Sequence, residues 1–253
     1  MLANYHTHSY HCRHADGRPA DYAEAAAQSG LQILGFSDHV PYPFGNGHVS
    51  GFRMPTEETA QYVREIGEVR AQYAGRLTVY TGYEAEYYPA HFTDMLRHIE
   101  QFGYDYLILG QHFLQNEYDG EPSMAVHDER GLKAYVDQTV EAMHTGAFLY
   151  MAHPDMVGYR ADEAVLSREM RRLCAAARAC DLPLEFNLLG FREKRIYPYA
   201  PFWRLAAEEG CRVVLGCDAH TPRYTGDPET VQAALAALSQ LGIVPVDLPG
   251  IDK

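Results

Sequence analysis

Seven times along the chain, a short apolar stretch runs into a histidine, a carboxylate or an asparagine, and a helical stretch follows. Residues 2–7 lead to His6 and His8, 31–37 to Asp38-His39, and 77–84 end on Glu84 itself. Residues 104–110 lead to Gln111-His112, 147–152 to His153-Pro154-Asp155, 183–186 to Asn187, and 211–216 to Asp218-Ala219-His220. The segments between carry helix signals over 19–30, 56–73, 91–102, 129–145, 162–180, 197–209 and 227–242. Pro19 suits a first turn, Thr56 an N-cap, and Gly30 and Gly210 are stops. Strands alternating with helices imply βαβ units and a parallel sheet. Seven such units close most simply into a TIM-like α/β barrel, with an open doubly wound sheet as the alternative. No Gly-, Ser- or Pro-rich linker divides the chain, so residues 1–253 read as one domain.

In a parallel barrel the active site lies at the carboxyl ends of the strands. A polar strand end has a bland explanation when it occurs once, because loops are polar. Here all seven strands deliver a metal-competent or polar residue to the same rim. The N-terminal stretch is the densest, with His6, His8, His11 and His14 within nine positions. Side chains alternate along a strand, so His6 and His8 are expected on one face, two residues apart, where they can chelate one divalent cation.

The rim histidines and carboxylates outnumber what one metal needs, since a catalytic zinc takes about three protein ligands. His6, His8, His14, His39, Glu84, His112, His153, Asp218 and His220 therefore suggest two or three ions, with Glu84 as a bridge. Neighbouring metals can share a hydroxide and clamp a phosphoryl group. Cys12 and Cys217 lie close to these positions, as further ligands or as small buried filler.

Composition narrows the class. A net charge of −13 argues against a general nucleic-acid binder or an anionic-membrane binder. There is no run of 18 apolar residues and no signal-peptide pattern. Five cysteines without CxxC spacing read as reduced thiols, so a cytoplasmic protein is expected.

His6-Thr7-His8, His14, Ser37-Asp38-His39, Glu84, His112, His153-Pro154 and Asp218-Ala219-His220 resemble the polymerase and histidinol phosphatase (PHP) family, from residue 4 to about residue 222. The resemblance implies a distorted (β/α)7 barrel with a trinuclear site of zinc, manganese or iron. Carried over by position, His6, His8, Glu84 and Asp218 would hold the first metal. Glu84, His112 and His153 would hold the second, and His14, His39 and His220 the third. Within the family the chain looks most like the monofunctional histidinol-phosphate phosphatases of histidine biosynthesis. Cys12-x-His14-Ala15, Gly35-Phe36-Ser37-Asp38-His39, Gln111-His112-Phe113, Glu185-Phe186-Asn187 and Gly190-Phe191-Arg192-Glu193-Lys194 carry that likeness. Two positions depart from the expected pattern: Leu188-Leu189 replaces a small polar residue after Asn187, and Cys217 replaces a serine before Asp218.

This implies hydrolysis of L-histidinol phosphate to L-histidinol and phosphate by a metal-bridging hydroxide near Glu84. Arg160, Arg192, Arg195 and Lys194 are the candidate phosphate binders, since a phosphate needs forked cationic donors. Asp218, His153 or His220 could relay the proton to the leaving alkoxide. Asp16 and Asp155 could orient ligands. The loops 42–53 and 113–127 supply Phe44, Phe52, Phe113, Glu117 and Tyr118 toward the substrate's amine and imidazole. The alternatives are another small phosphomonoester or a nucleotide at the same metals, or a non-catalytic metal-binding module. Oligomeric state stays open.

Overall fold

The computed structural model describes residues 1–251. Its strands are β1 (Ala3–Asn4), β2 (Ile33–Phe36), β3 (Thr78–Ala85), β4 (Tyr106–Leu109), β5 (Leu184–Asn187) and β6 (Val213–Gly216). Every strand pairing is parallel, in the order β1-β2-β3-β4 and β5-β6. Single bridges join these two sheets. Met151 pairs with both Leu109 and Leu184, and Thr7 pairs with Ala219. The expected strand at 147–152 is thus present only as an extended segment. Its N–H and C=O groups still reach both neighbours, as in Leu149 N to Leu107 O (2.8 Å) and Glu185 N to Met151 O (2.9 Å). The result is a mixed α/β fold with a curled parallel sheet, a distorted barrel.

Alternation along each strand sorts the side chains into two layers. Ala3, Tyr5, Tyr106, Ile108, Tyr150, Ala152 and Val214 form one buried cluster. Leu34, Phe36, Val79, Tyr83, Leu107, Leu109, Leu184, Phe186, Val213 and Leu215 join the larger cluster under the helices. On β3 the inward register runs Tyr80, Gly82, Glu84, and on β6 it runs Val214, Gly216, Asp218. Two candidate ligands thus follow the lumen face up to the rim. Tyr106 crosses the lumen and donates its hydroxyl to the carbonyls of Tyr5 (2.8 Å) and Phe36 (2.9 Å). A Cβ at Gly82 would lie 2.4 Å from the Tyr106 ring. Gly82→Ala is therefore expected to lower stability by about 1–3 kcal/mol through overpacking, measured by denaturant unfolding.

The first strand departs from the expected regular stretch. Ala3 and Tyr5 face the lumen, and then His6 and His8 face the rim cluster, so the alternation breaks after Tyr5. The Asn4 side chain holds the break. Its amide donates to Thr7 Oγ1 (2.7 Å) and its carbonyl accepts from Cys217 N (2.9 Å).

The helices are α1 (Pro19–Ser29), α2 (Thr59–Gln72), α3 (Phe92–Glu100), α4 (Glu129–His144), α5 (Glu163–Ala179), α6 (Leu188–Glu193), α7 (Ala200–Glu208) and α8 (Pro228–Gln240). Asp128, Asp162 and Asp227 cap α4, α5 and α8 through their carboxylates. Thr56 does not serve as the expected side-chain cap: a 3-10 turn at Thr56–Glu58 precedes α2, with Pro55 at its start. The sequence reading missed α6. It is short, it is capped by Asn187 Oδ1 accepting from Gly190 N, and it depends on Tyr197 packing where a Gly190 side chain would otherwise stand. A Cβ there would meet the Tyr197 ring and carbonyl at 2.5 Å.

Candidate metal centre

Nine residues from six strand ends and the loop after β1 converge at the carboxyl rim. His6, His8, Glu84 and Asp218 form the tightest group. His6 Nε2 lies 3.1 Å from His8 Nε2, and each lies 3.4–3.5 Å from Glu84 Oε2 and from Asp218 Oδ1. Four ligands placed tetrahedrally at zinc bond lengths of about 2.0–2.1 Å stand about 3.3 Å apart. The other Glu84 oxygen, Oε1, faces His153 Nε2 at 2.8 Å and His112 Nε2 at 3.5 Å. His14 Nε2 and His220 Nε2 lie 2.9 Å apart. His39 turns Nδ1 toward Glu84 Oε2 (3.3 Å), and its ring lies 5.3 Å from that of His14. Glu84 therefore stands between two donor groups, with His6, His8 and His39 on Oε2 and His112 and His153 on Oε1, as a bridging carboxylate must.

The imidazole tautomers test whether these residues suit cations. Nδ1–H of His6 donates to Glu185 Oε1 (2.6 Å), and that of His112 to Glu86 Oε1 (2.9 Å). His14 and His220 donate to the carbonyls of Cys12 (2.6 Å) and Asp218 (3.1 Å). In the neutral imidazole each Nε2 is then a bare lone pair directed into the cluster. His14 and His220 set two such lone pairs face to face, which is repulsive unless a cation lies between them. The donor set therefore fits divalent metals.

Local charge agrees. Burial is the largest influence on His14, His39 and His220 and pushes all three down, His220 to about 3. They stay neutral, the form that ligates. Burial also pushes His6 down, yet Glu185, Asp218 and Glu84 outweigh it and lift the ring to about 10. Burial would raise Glu84, but His112, His6 and His39 hold it well below the carboxylate range. Positive charge is stabilised on this side of the cluster. His153 (φ 30°) and Asp218 (φ 46°) both take left-handed backbone, which side-chain-bearing residues adopt only where the surroundings enforce it.

Two carboxylates behind the ligands were not assigned roles from the sequence. Glu185 is fully buried and accepts from His6 Nδ1, His153 N (3.0 Å) and Asn187 Nδ2 (2.9 Å). Glu86 backs His112. Their signal was a carboxylate in the inward register, Glu185 within β5 and Glu86 just past the end of β3.

A cavity of 360 Å³ opens over the cluster, lined by His14, His39, Glu84, His112, His153, Asp218 and His220 together with Phe52, Phe113, Glu193, Arg195 and Tyr197. Of the four basic candidates, only Arg195 lines it. Arg160 instead donates to the carbonyls of Val157, Tyr159, Asp155 and Ile196 and stacks on the Tyr199 ring at 4.0 Å. Its guanidinium ties two rim loops together. Arg192 stacks on Tyr224 at 3.5 Å, and Lys194 is exposed in the turn that ends α6. Asp155 accepts from Tyr199 N (2.5 Å) and Trp203 Nε1 (3.0 Å), anchoring α7, and Asp16 meets His220 through its backbone N–H. Cys12 Sγ, within ligating range of His8 and His220, donates to Ser9 O (3.1 Å). Cys217 Sγ accepts from Gly226 N (3.2 Å).

A curled parallel α/β barrel whose carboxyl rim gathers imidazoles around one carboxylate defines a class, the polynuclear metallohydrolases. The model of the PHP domain matches residues 4–188, most of the chain. The chain belongs to the PHP domain family. A probable histidinol-phosphatase of Deinococcus radiodurans is 33% identical over 235 residues, covering 89% of this chain and 88% of the relative. The histidinol-phosphatase of Bacillus subtilis is 25% identical over 248 residues, covering 85% and 92%. Among solved structures, histidinol phosphate phosphatase from Lactococcus lactis, complexed with zinc, L-histidinol and phosphate, gives a TM-score of 0.74. It is 17% identical and covers 97% of this chain and 95% of its own, so that likeness is one of fold.

Proposed function

We propose that this chain is a metal-dependent phosphatase that hydrolyses L-histidinol phosphate to L-histidinol and phosphate in histidine biosynthesis. Its family membership and its relatives at full length support the reaction. The observation that carries the site is the convergence of seven imidazoles with Glu84 and Asp218 at one rim, four of the imidazoles (His6, His14, His112 and His220) having Nδ1–H tied back to an oxygen acceptor. His6, His8, Glu84 and Asp218 would hold one ion, Glu84, His112 and His153 a second, and His14, His39 and His220 a third. Zinc, manganese or iron suit these donors. Bound divalent cations supply a nucleophilic hydroxide near neutral pH and neutralise charge on the phosphoryl group.

The chain's own residues do the rest. Glu185 and Glu86 fix the tautomers of His6 and His112, so the ligating nitrogens are ready without reorganisation. Phe52, stacked 5.9 Å from Phe113, walls the cavity. Asp218, His153 and His220 line it, and one of them would relay to the leaving alkoxide the proton that the attacking hydroxide carries. Arg195 is the phosphate clamp. Its guanidinium now rests on Glu193 Oε2 (2.7 Å) and Tyr197 Oη (3.2 Å) and can swing to the substrate. Arg195→Ala should lower kcat/KM about 10–100-fold, mostly through KM, because a hydrogen bond to a charged group contributes about 1.5–3 kcal/mol.

The net charge of −13 favours a small-molecule substrate over nucleic acid. Among the described residues, no helix is long and apolar enough to cross a membrane. All five cysteines are free thiols, which supports a cytoplasmic setting. Phosphate release from L-histidinol phosphate, serine phosphate, a nucleoside monophosphate and a phosphodiester tests the reading. Selective turnover of histidinol phosphate is expected, and preference for another ester would refute the substrate.

A further inference from the structure

Arg53 sits outside the cavity, in the loop between β2 and α2, yet it is 3% exposed, and its guanidinium reaches three ligand-bearing segments. Nη1 donates to Val40 O (2.7 Å), the residue after His39. Nη2 donates to both oxygens of Glu86 (3.1 and 3.0 Å), two residues after Glu84. Nε donates to Glu117 Oε2 (2.7 Å), in the loop after His112. Glu86 Oε1 also accepts from His112 Nδ1, so one carboxylate is shared by the guanidinium and a candidate ligand. Glu117 Oε1 in turn accepts from His48 Nε2 (2.7 Å), closing the loop onto itself. The guanidinium also lies 4.4 Å from the centroid of Phe52, whose ring meets His39 edge-on at 5.0 Å.

We propose that Arg53 is a positioning residue that sets the His39–Glu84–His112 corner of the metal centre and joins it to the loop carrying the Phe52 wall. The proposal rests on the reading that this cluster holds divalent cations. His39, Glu84 and His112 present donor atoms within ligating range of one another, and each is followed by a group that Arg53 binds, directly or through the Glu117 loop. A planar fork with five N–H groups serves a carbonyl and two carboxylates at once in fixed directions. A lysine keeps the charge but not the geometry. Glu86 needs that counter-charge, because it is buried beside Glu84 and holds the His112 tautomer. If the guanidinium is lost, His112 loses its fixed Nδ1 acceptor geometry, and the wall over His39 loses its support.

Arg53→Met, Arg53→Lys and Glu117→Gln would be compared with the wild type by zinc content after dialysis, by zinc affinity in chelator competition, and by kcat and KM on histidinol phosphate. Arg53→Met is expected to weaken the most weakly held zinc about 10–100-fold and to lower kcat with KM little changed, as loss of groups behind metal ligands does. Arg53→Lys should recover part of both, and Glu117→Gln, which removes one limb, should shift both less. If Arg53→Met does not fold, Arg53→Lys and Glu117→Gln carry the test, since both keep a cation against Glu86. Wild-type zinc affinity per folded molecule in the variants would overturn the proposal, whatever their melting temperatures. Wild-type protein that binds no zinc would overturn the metal reading itself, while wild-type zinc binding without histidinol phosphatase turnover would refute only the substrate.

Discussion

Replacing Glu84 with Gln is expected to remove at least about a thousandfold of kcat while leaving the fold intact. The two carboxylate oxygens divide the centre: Oε2 faces His6, His8 and His39, and Oε1 faces His112 and His153. Glutamine keeps the shape but turns one of these ends into a donor. That amide then points at bare imidazole nitrogens or at a cation, and the bridge loses its charge. Charge stabilisation by such a centre contributes several kcal/mol, and each 1.36 kcal/mol is tenfold in rate. Single-turnover phosphate release, read beside metal content, checks this. A variant with near wild-type kcat and full metal content would remove Glu84 from the centre.

The second large effect is expected at Glu185, which touches no substrate. It is fully buried under His6 and His153 and stands where a Gly216 side chain would project, with Oε1 only 1.6 Å from a Cβ built there. In Glu185→Gln, one end must present NH2 to either the His6 Nδ1–H or the His153 backbone N–H. Donor then meets donor. His6 can relieve this by moving its proton to Nε2, which blocks the nitrogen aimed at Asp218 and Glu84. Zinc affinity and kcat are each expected to fall about 10–100-fold. Chelator competition and steady-state rates measure both. Unchanged affinity would show that Glu185 only fills space.

What the sequence could reveal follows from where the information lies. Glu84, Asp218 and Asn187 were legible because a two-residue period carries a strand's inward face to its end, and the apolar residues mark that face. Most helices were legible from starts and stops such as Pro19 and Gly30. The break after Tyr5 was not, because it depends on Asn4 meeting Cys217 N, a contact 213 residues apart. Arg160 shows the same limit from the other side. Its charge beside a rim loop was visible, but the carbonyls of Val157, Tyr159, Asp155 and Ile196 that occupy it belong to the folded loops. Arg53 carried no local signal, since a lone arginine in a Pro- and Gly-rich loop reads as solvated. Glu185 within β5 and Glu86 just past β3 were visible as carboxylates in the inward register, but the imidazoles that give them a purpose come from other strands.

The most direct measurement is phosphate release from L-histidinol phosphate by chelator-stripped protein as zinc, manganese or iron is titrated back. Stripped protein should be inert, and activity should rise with added metal and level off at two to three equivalents per chain. Turnover that survives complete stripping, or protein that binds two to three equivalents and still releases no phosphate, would contradict the assignment of this rim cluster as the catalytic metal centre of a histidinol phosphatase.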